Sequence, residues 1–175
     1  MADRTPDAIA LLKADHRKVE ELFEQFETAT PKKRPVIALE ICTELMIHTI
    51  IEEELFYPAL KNKVDADVLE EAYVEHDGAK MLVAQIANGS TEDEFYEAKV
   101  SVLSEEIRHH VREEERPKEG MFAQARATDL DLQALGETMA MRKQELKARF
   151  KSEGLPPPKM RTITPAEVEL SEPVA

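Results

Sequence analysis

Four segments of this chain carry apolar residues at alternating intervals of three and four, and each of the four is interrupted once by a histidine. The first reads Ile9, Leu12, His16, Val19, Phe23, Phe26, and the second Ala38, Ile41, Leu45, His48, Glu52, Leu55, Ala59. The third reads Leu69, Ala72, His76, Ala79, Val83, Ile86, and the fourth Val100, Leu103, Ile107, His110, Glu114. Such spacing is the mark of helices packed side by side. A chain so patterned has few options: its apolar stripes must face one another, and its polar interruptions must then meet inside the core.

Punctuation sets the helix limits. Thr5 and Pro6 open the first segment, which runs to about Thr28 before Pro31. A second runs from about Pro35 to Lys63, and a third from Asp65, as cap, to Asn88 and Gly89. Thr91 with Glu94 fits a capping box for the fourth, which stops near Arg116 because Pro117 and Gly120 follow. The short connections predict an all-α, antiparallel up-down-up-down four-helix bundle. A fifth amphipathic segment, about Asp129 to Phe150, places Leu132, Leu135, Met139, Leu146 and Phe150 at helical spacing and is expected to pack on the bundle. The domain is thus expected over residues 1–151, with 152–175 a Pro-rich, disordered tail.

Composition excludes several classes of partner. A net charge of −13, with no Lys/Arg cluster, argues against nucleic acid and anionic membrane surfaces. No apolar run approaches the roughly 20 residues that span a bilayer, and Met1 to Ala14 lacks the layout of a signal peptide, so a cytoplasmic location is the default expectation. The single cysteine, Cys42, has no second thiol with which to bind metal and reads as a small buried hydrophobe.

Four imidazoles and two carboxylates converging in a core need a complete hydrogen-bond network or a cation. The candidate metal ligands are His16, His48, Glu52, His76, His110 and Glu114. Side chains at i and i+4 stand about 5–6 Å apart on one helix face, so His48 can hold one metal while Glu52 leans to a second. His110 and Glu114 repeat the device. Nitrogen and oxygen donors without thiolate suit two non-haem iron ions, ahead of manganese or zinc. His109 points off the stripe, and Glu53, Glu54, Glu113 and Glu115 read as solvated charge runs, any one of which could orient a ligand.

Asp15-His16, HTIIEEELFYPAL from His48 to Leu60, EHD from Glu75 to Asp77 and HHVREEE from His109 to Glu115 together resemble the hemerythrin-like, HHE cation-binding family across roughly residues 5–150. The resemblance implies an oxo- or hydroxo-bridged di-iron centre ligated by the four histidines, with Glu52 and Glu114 bridging. Oxygen-carrying members supply a further histidine four residues after the helix C ligand, where this chain has Lys80. The set is more similar to members linked to nitric oxide response, iron-centre repair or peroxide handling. The expected function is binding or sensing of oxygen or nitric oxide at the metal pair. The alternatives are a di-iron enzyme acting on peroxide or nitric oxide, and iron-centre repair or iron donation. The expected partner is a diatomic gas or peroxide; sequence names no protein partner.

Overall fold

The computed structural model describes residues 5–164. In chain order it forms α1 (Ala8–Thr28), α2 (Arg34–Ile51), a π-helical segment (Glu52–Phe56), α3 (Tyr57–Leu60), α4 (Ala66–Asn88), α5 (Tyr96–Glu115), α6 (Met121–Arg126) and α7 (Leu132–Glu153). The described residues are helical apart from the connections and the terminal segments 5–7 and 154–164. α1 packs on α2, α2 on α4, α4 on α5 and α5 back on α1, closing a ring of four around one core.

Capping plays a limited part in specifying these helices. Asp7, one residue after Pro6, is the cap of α1 and accepts from the Ala10 N–H at 2.8 Å. The expected opening at Thr5 is therefore displaced. Asp65 caps α4 as expected, accepting from the Asp67 N–H. α2 and α5 have no side-chain cap bond at all. A cap is worth about 1 kcal/mol, whereas fully burying one large apolar side chain contributes roughly 1.5–3 kcal/mol. Ile41, Ile47 and Ile51 of α2 are fully buried, so packing outweighs the missing cap.

The fourth bundle helix starts at Tyr96 instead of Thr91. Ser90 and Asp93 satisfy each other's neighbourhood as a turn: the Ser90 N–H donates to Asp93 Oδ2 and the Glu92 N–H to Ser90 Oγ. That local network competes with the capping box expected of Thr91 and Glu94.

The second bundle helix holds the main departure. Pro58 has no N–H to give to the carbonyl four residues earlier, and its ring crowds that carbonyl in a regular α-helix. The backbone widens just before it, and the Tyr57 N–H bonds to Glu52 O, five residues back. One residue is thereby inserted into the 3–4 stripe. Instead of Leu55 and Ala59, which are only partly covered, Phe56, Tyr57 and Leu60 face the core.

α7 lies across α1 and α2 with Met139, Leu146 and Phe150 buried. Its approach is close at Gly136, where a Cβ would stand 2.5 Å from the Pro6 carbonyl oxygen and 2.6 Å from the Ala8 nitrogen. Gly154, at φ 81°, ends the helix in a conformation that suits glycine. Residues 155–163, expected in a disordered tail, instead run back over the bundle. Leu155 packs against the core, and the N–H groups of Arg161, Thr162 and Ile163 all donate to Asp77. Composition predicted disorder because it shows few groups to bury; the buried acceptor that fixes the segment lies in α4. The rest of the expected tail, 165–175, and residues 1–4 fall outside the described residues.

Candidate metal centre

All six residues expected as ligands are buried and meet at one level of the ring. Potential ligand atoms of His16, His48, Glu52 and Glu114 lie within 4.8 Å of one another, and Glu52, His76 and His110 form a second such group. The site therefore has two halves sharing Glu52. In one, His16 Nε2 faces His48 Nε2 at 3.3 Å; in the other, His76 Nε2 faces His110 Nε2, also at 3.3 Å. Glu52 Oε2 lies 3.1 Å from His48 Nε2 and 3.2 Å from His76 Nε2. Glu114 Oε2 lies 3.4 Å from His16 Nε2 and 3.6 Å from His110 Nε2. Each carboxylate thus spans the halves.

Behind each imidazole stands another carboxylate. Glu115 Oε1 is 2.8 Å from His16 Nδ1, Glu75 Oε2 is 2.7 Å from His110 Nδ1, and Glu53 Oε1 is 3.2 Å from His76 Nδ1. Asp15 Oδ2 is more distant from His48 Nδ1, at 3.7 Å. A carboxylate at Nδ1 holds the proton there and leaves Nε2 bare for a cation. Glu53 and Glu115, read from sequence as solvated charges, are therefore parts of the site. Glu54 pairs with Arg142 and Glu113 with Arg116, as a surface role requires. His109 is exposed and stands beside Glu75 Oε1 at 3.3 Å, away from the ligand cluster.

Sequence reasoning missed Tyr57. Its hydroxyl lies 3.1 Å from His76 Nε2, 3.1 Å from Glu114 Oε1 and 3.3 Å from Glu52 Oε2. The π-turn brings it there: five residues, not four, separate Glu52 from the next side chain on its face. The available signal was Pro58, a proline inside an otherwise helical pattern.

The electrostatics fit a cation. Burial works against charge on His48, but Glu52 and Asp15 outweigh it and hold its pKa at about 10 in the metal-free protein. Burial likewise opposes charge on Glu52, yet His48 and His76 keep its carboxyl well below the usual range. For Glu115 the hydrogen bond to His16 dominates, and its pKa falls to about 2. Tyr57 is driven well above its ordinary value, first by burial and then by the charges of Glu114 and Glu52. Glu52 Oε1 and Glu114 Oε2 are buried without a hydrogen-bond partner. An unpartnered buried carboxylate oxygen costs several kcal/mol, and two of them among four converging imidazoles are accounted for together by a metal.

Space around the ligands is limited. A small space of about 10 Å³ lies among the four histidines, bordered by Val19, Leu45, Ile107 and Val111 together with Asp15 and Thr49. From the other side a cleft of about 460 Å³ reaches His110 and Glu114 past Glu71, Glu75, Glu113 and Met121. α6 closes the end of the bundle beside it: the Phe122 ring stacks on His16 with centroids 5.7 Å apart.

Residues 7–118 match the hemerythrin HHE cation binding domain, and the chain belongs to that family. Its fold resembles the crystal structure of a hemerythrin HHE cation binding domain-containing protein from Mycobacterium kansasii, with TM-score 0.71 and 25% identity over 86% of this chain and 95% of that one. A DNA nickase from Nostoc sp. is 29% identical over 106 residues, which is 60% of this chain and only 30% of the nickase. With the buried histidine–carboxylate cluster, family membership makes this a metal-binding hemerythrin-like protein. Among the described residues no helix is long and apolar enough to cross a membrane.

Proposed function

We propose that the protein is a non-haem di-iron protein that binds or senses oxygen or nitric oxide at a carboxylate-bridged metal pair. His16 and His48 would hold one metal, His76 and His110 the other, with Glu52 and Glu114 between them. The observation that supports the small-ligand reading is burial: all six ligand residues are buried, and the space among the histidines, bordered by Val19, Leu45, Ile107 and Val111, is only about 10 Å³. The donor set of nitrogen and oxygen atoms favours iron over softer metals. Bound, the metal pair would supply redox and Lewis-acid chemistry; the protein supplies the dry pocket, the tautomers and the bridging geometry.

One observation favours a second reading, turnover of peroxide. The Tyr57 hydroxyl stands inside the ligand cluster, where burial and the charges of Glu114 and Glu52 raise its pKa well above the ordinary value. A hydroxyl placed there would donate a hydrogen bond to a peroxide oxygen at the metals and lend and recover a proton as two peroxides disproportionate to water and oxygen. The deciding measurement is metal content of protein made in iron-replete medium, with the visible spectrum recorded before and after oxygen, nitric oxide and peroxide. About two irons per chain and a band that shifts with a gas, without consuming it, support the first reading. Peroxide consumption that Tyr57→Phe suppresses while iron content holds supports the second. Absence of iron, or iron that survives combined His48→Ala and His110→Ala, rejects both.

A further inference from the structure

Lys80 occupies the helix position where oxygen carriers of this family place another ligand, yet its side chain is turned to a different task. It is 3% exposed, with Nζ 2.5 Å from Glu53 Oε1, 3.0 Å from Asp77 Oδ1 and 3.0 Å from the carbonyl oxygen of Lys159. The last contact belongs to the segment that follows α7. After Gly154 this segment faces Leu39 and Met46 of α2 and Val83 of α4 across a narrow cleft through Leu155 and Pro156–Pro158, then reaches Asp77.

There it is held by a convergent set of donors. Asp77 Oδ2 accepts the N–H groups of Arg161 at 2.8 Å, Thr162 at 2.6 Å and Ile163 at 2.9 Å, and the Thr162 hydroxyl at 3.0 Å. Arg161 Nε donates to Glu53 Oε2 at 3.0 Å. Glu53 is the residue that holds the outer nitrogen of His76, through Oε1. Its two oxygens are thus divided between a candidate metal ligand on one side and the returning segment on the other.

Charge shows why the segment matters to the site. Glu53 and Asp77 are two buried anions, and Lys80 and Arg161 are the cations they touch. Only Lys80 belongs to the bundle. With the segment lifted away, one ammonium would face two carboxylates. Glu53 would then lose the group fixing its far oxygen, and His76 the rigidity of its only partner at Nδ1.

We infer that residues 159–163 form a clasp, anchored by Asp77 and Lys80, through which Arg161 positions Glu53 and so orients His76 for metal. Arg161 and Asp77 are positioning residues; neither touches the ligand cluster. This inference rests on the metal-binding reading of His76, and it makes retention of the metal on the His76–His110 side depend on a segment about 80 residues away in sequence.

The test uses the full chain loaded with iron, in which transfer of iron to a competing chelator is followed by absorbance. Arg161→Ala, on a half-exposed side chain that the core does not need, is expected to release about one of the two irons on the order of tenfold faster, in line with the effect of removing a partner behind a ligand. Asp77→Asn should do the same, and Arg161→Lys should restore slow release in part. Trypsin cleavage after Lys159, faster in Arg161→Ala than in the parent, reports separately that the clasp has opened. Arg149→Ala, which removes a surface pair with Glu153, should change neither rate. If the parent loads iron and Arg161→Ala opens the clasp with unchanged release, the clasp does not position His76 and the inference is wrong. If the parent loads no iron, the metal reading itself has failed, and the inference with it.

Discussion

The two halves of the candidate metal centre are each built from a pair of imidazoles, His16 with His48 and His76 with His110, but are braced by different parts of the chain. Behind His48 stands Asp15, which pairs with Lys143 of α7. Behind His76 stands Glu53, which pairs with Lys80 of α4 and Arg161 of the segment after α7. The His76 side also has the Tyr57 hydroxyl within 3.1 Å of its nitrogen; the His16–His48 side has the Phe122 ring. Two pairs of candidate ligands that look equivalent in sequence therefore differ in what braces them and in the groups beside them. A symmetric donor set can give an asymmetric centre when the supports are asymmetric.

The comparison breaks most severely at the residue the halves share. Glu52→Ala removes the oxygen that both His48 and His76 approach within 3.2 Å, and is expected to abolish retention of both metals, read as iron per chain after gel filtration. Retention of one full equivalent would show that the halves are independent and that Glu52 does not bridge.

Protons act on both halves, since His16, His48 and His76 are all raised, and His48 gives the plainest case. The pKa of His48 is raised from its ordinary 6.5 to about 10, so at pH 7 the metal-free protein carries a proton there that a metal must displace. Affinity is thus expected to fall as pH falls, about tenfold per unit for each proton displaced, with the dependence persisting up to about pH 10 before it flattens. Titrating metal into weakly buffered protein with an indicator dye checks this. Uptake that releases no proton at pH 7 would exclude His48 as a ligand.

Much of this centre is legible in sequence because helix geometry preserves it. His16, His48, His76, His110, Glu52 and Glu114 fall on their stripes, and α7 shows in the spacing of Met139, Leu146 and Phe150. What escaped did so for physical reasons. Tyr57 is out of register because Pro58 forces a π-turn, and a frame of threes and fours steps past it. Glu53 and Glu115 sit next to ligands in sequence, off the stripe, yet an imidazole presents its Nδ1 sideways, where an adjacent carboxylate from the same or a neighbouring helix can reach it. The clasp was hidden because backbone N–H groups carry no sequence signature, and only the fold brings Asp77 under them.

The outer carboxylates offer a finer contrast. Glu75 is 2.7 Å from His110 Nδ1, whereas Asp15 is 3.7 Å from His48 Nδ1. Glu75→Gln should weaken metal binding by about 10–100-fold, and Asp15→Asn by less, because the longer contact transmits less of the carboxylate's hold. Competition with a chelator of known affinity measures both. Equal losses would mean that the Asp15 contact tightens once metal is bound, and that the halves are more alike than their metal-free geometry suggests.

The mildest perturbation acts from a distance on one half only. In Gly136→Ala a methyl group would meet backbone atoms of Pro6 and Ala8 at 2.5–2.6 Å, too close for either chain to accept without moving. Backbone cannot rotate aside as a side chain does, so α7 must shift outward from α1. Forcing an extra methyl into a packed contact costs typically 1–3 kcal/mol, visible as a lower midpoint in thermal unfolding. The displaced helix carries Lys143 away from Asp15, so the metal on the His16–His48 side should leave sooner. Glu53, Lys80 and Arg161 on the other side receive nothing directly from the Gly136 contact, and release from the His76–His110 side should remain slow. Loss of both metals together would instead show that α7 and the clasp that follows it move as one body, and that the two supports are coupled through Gly154.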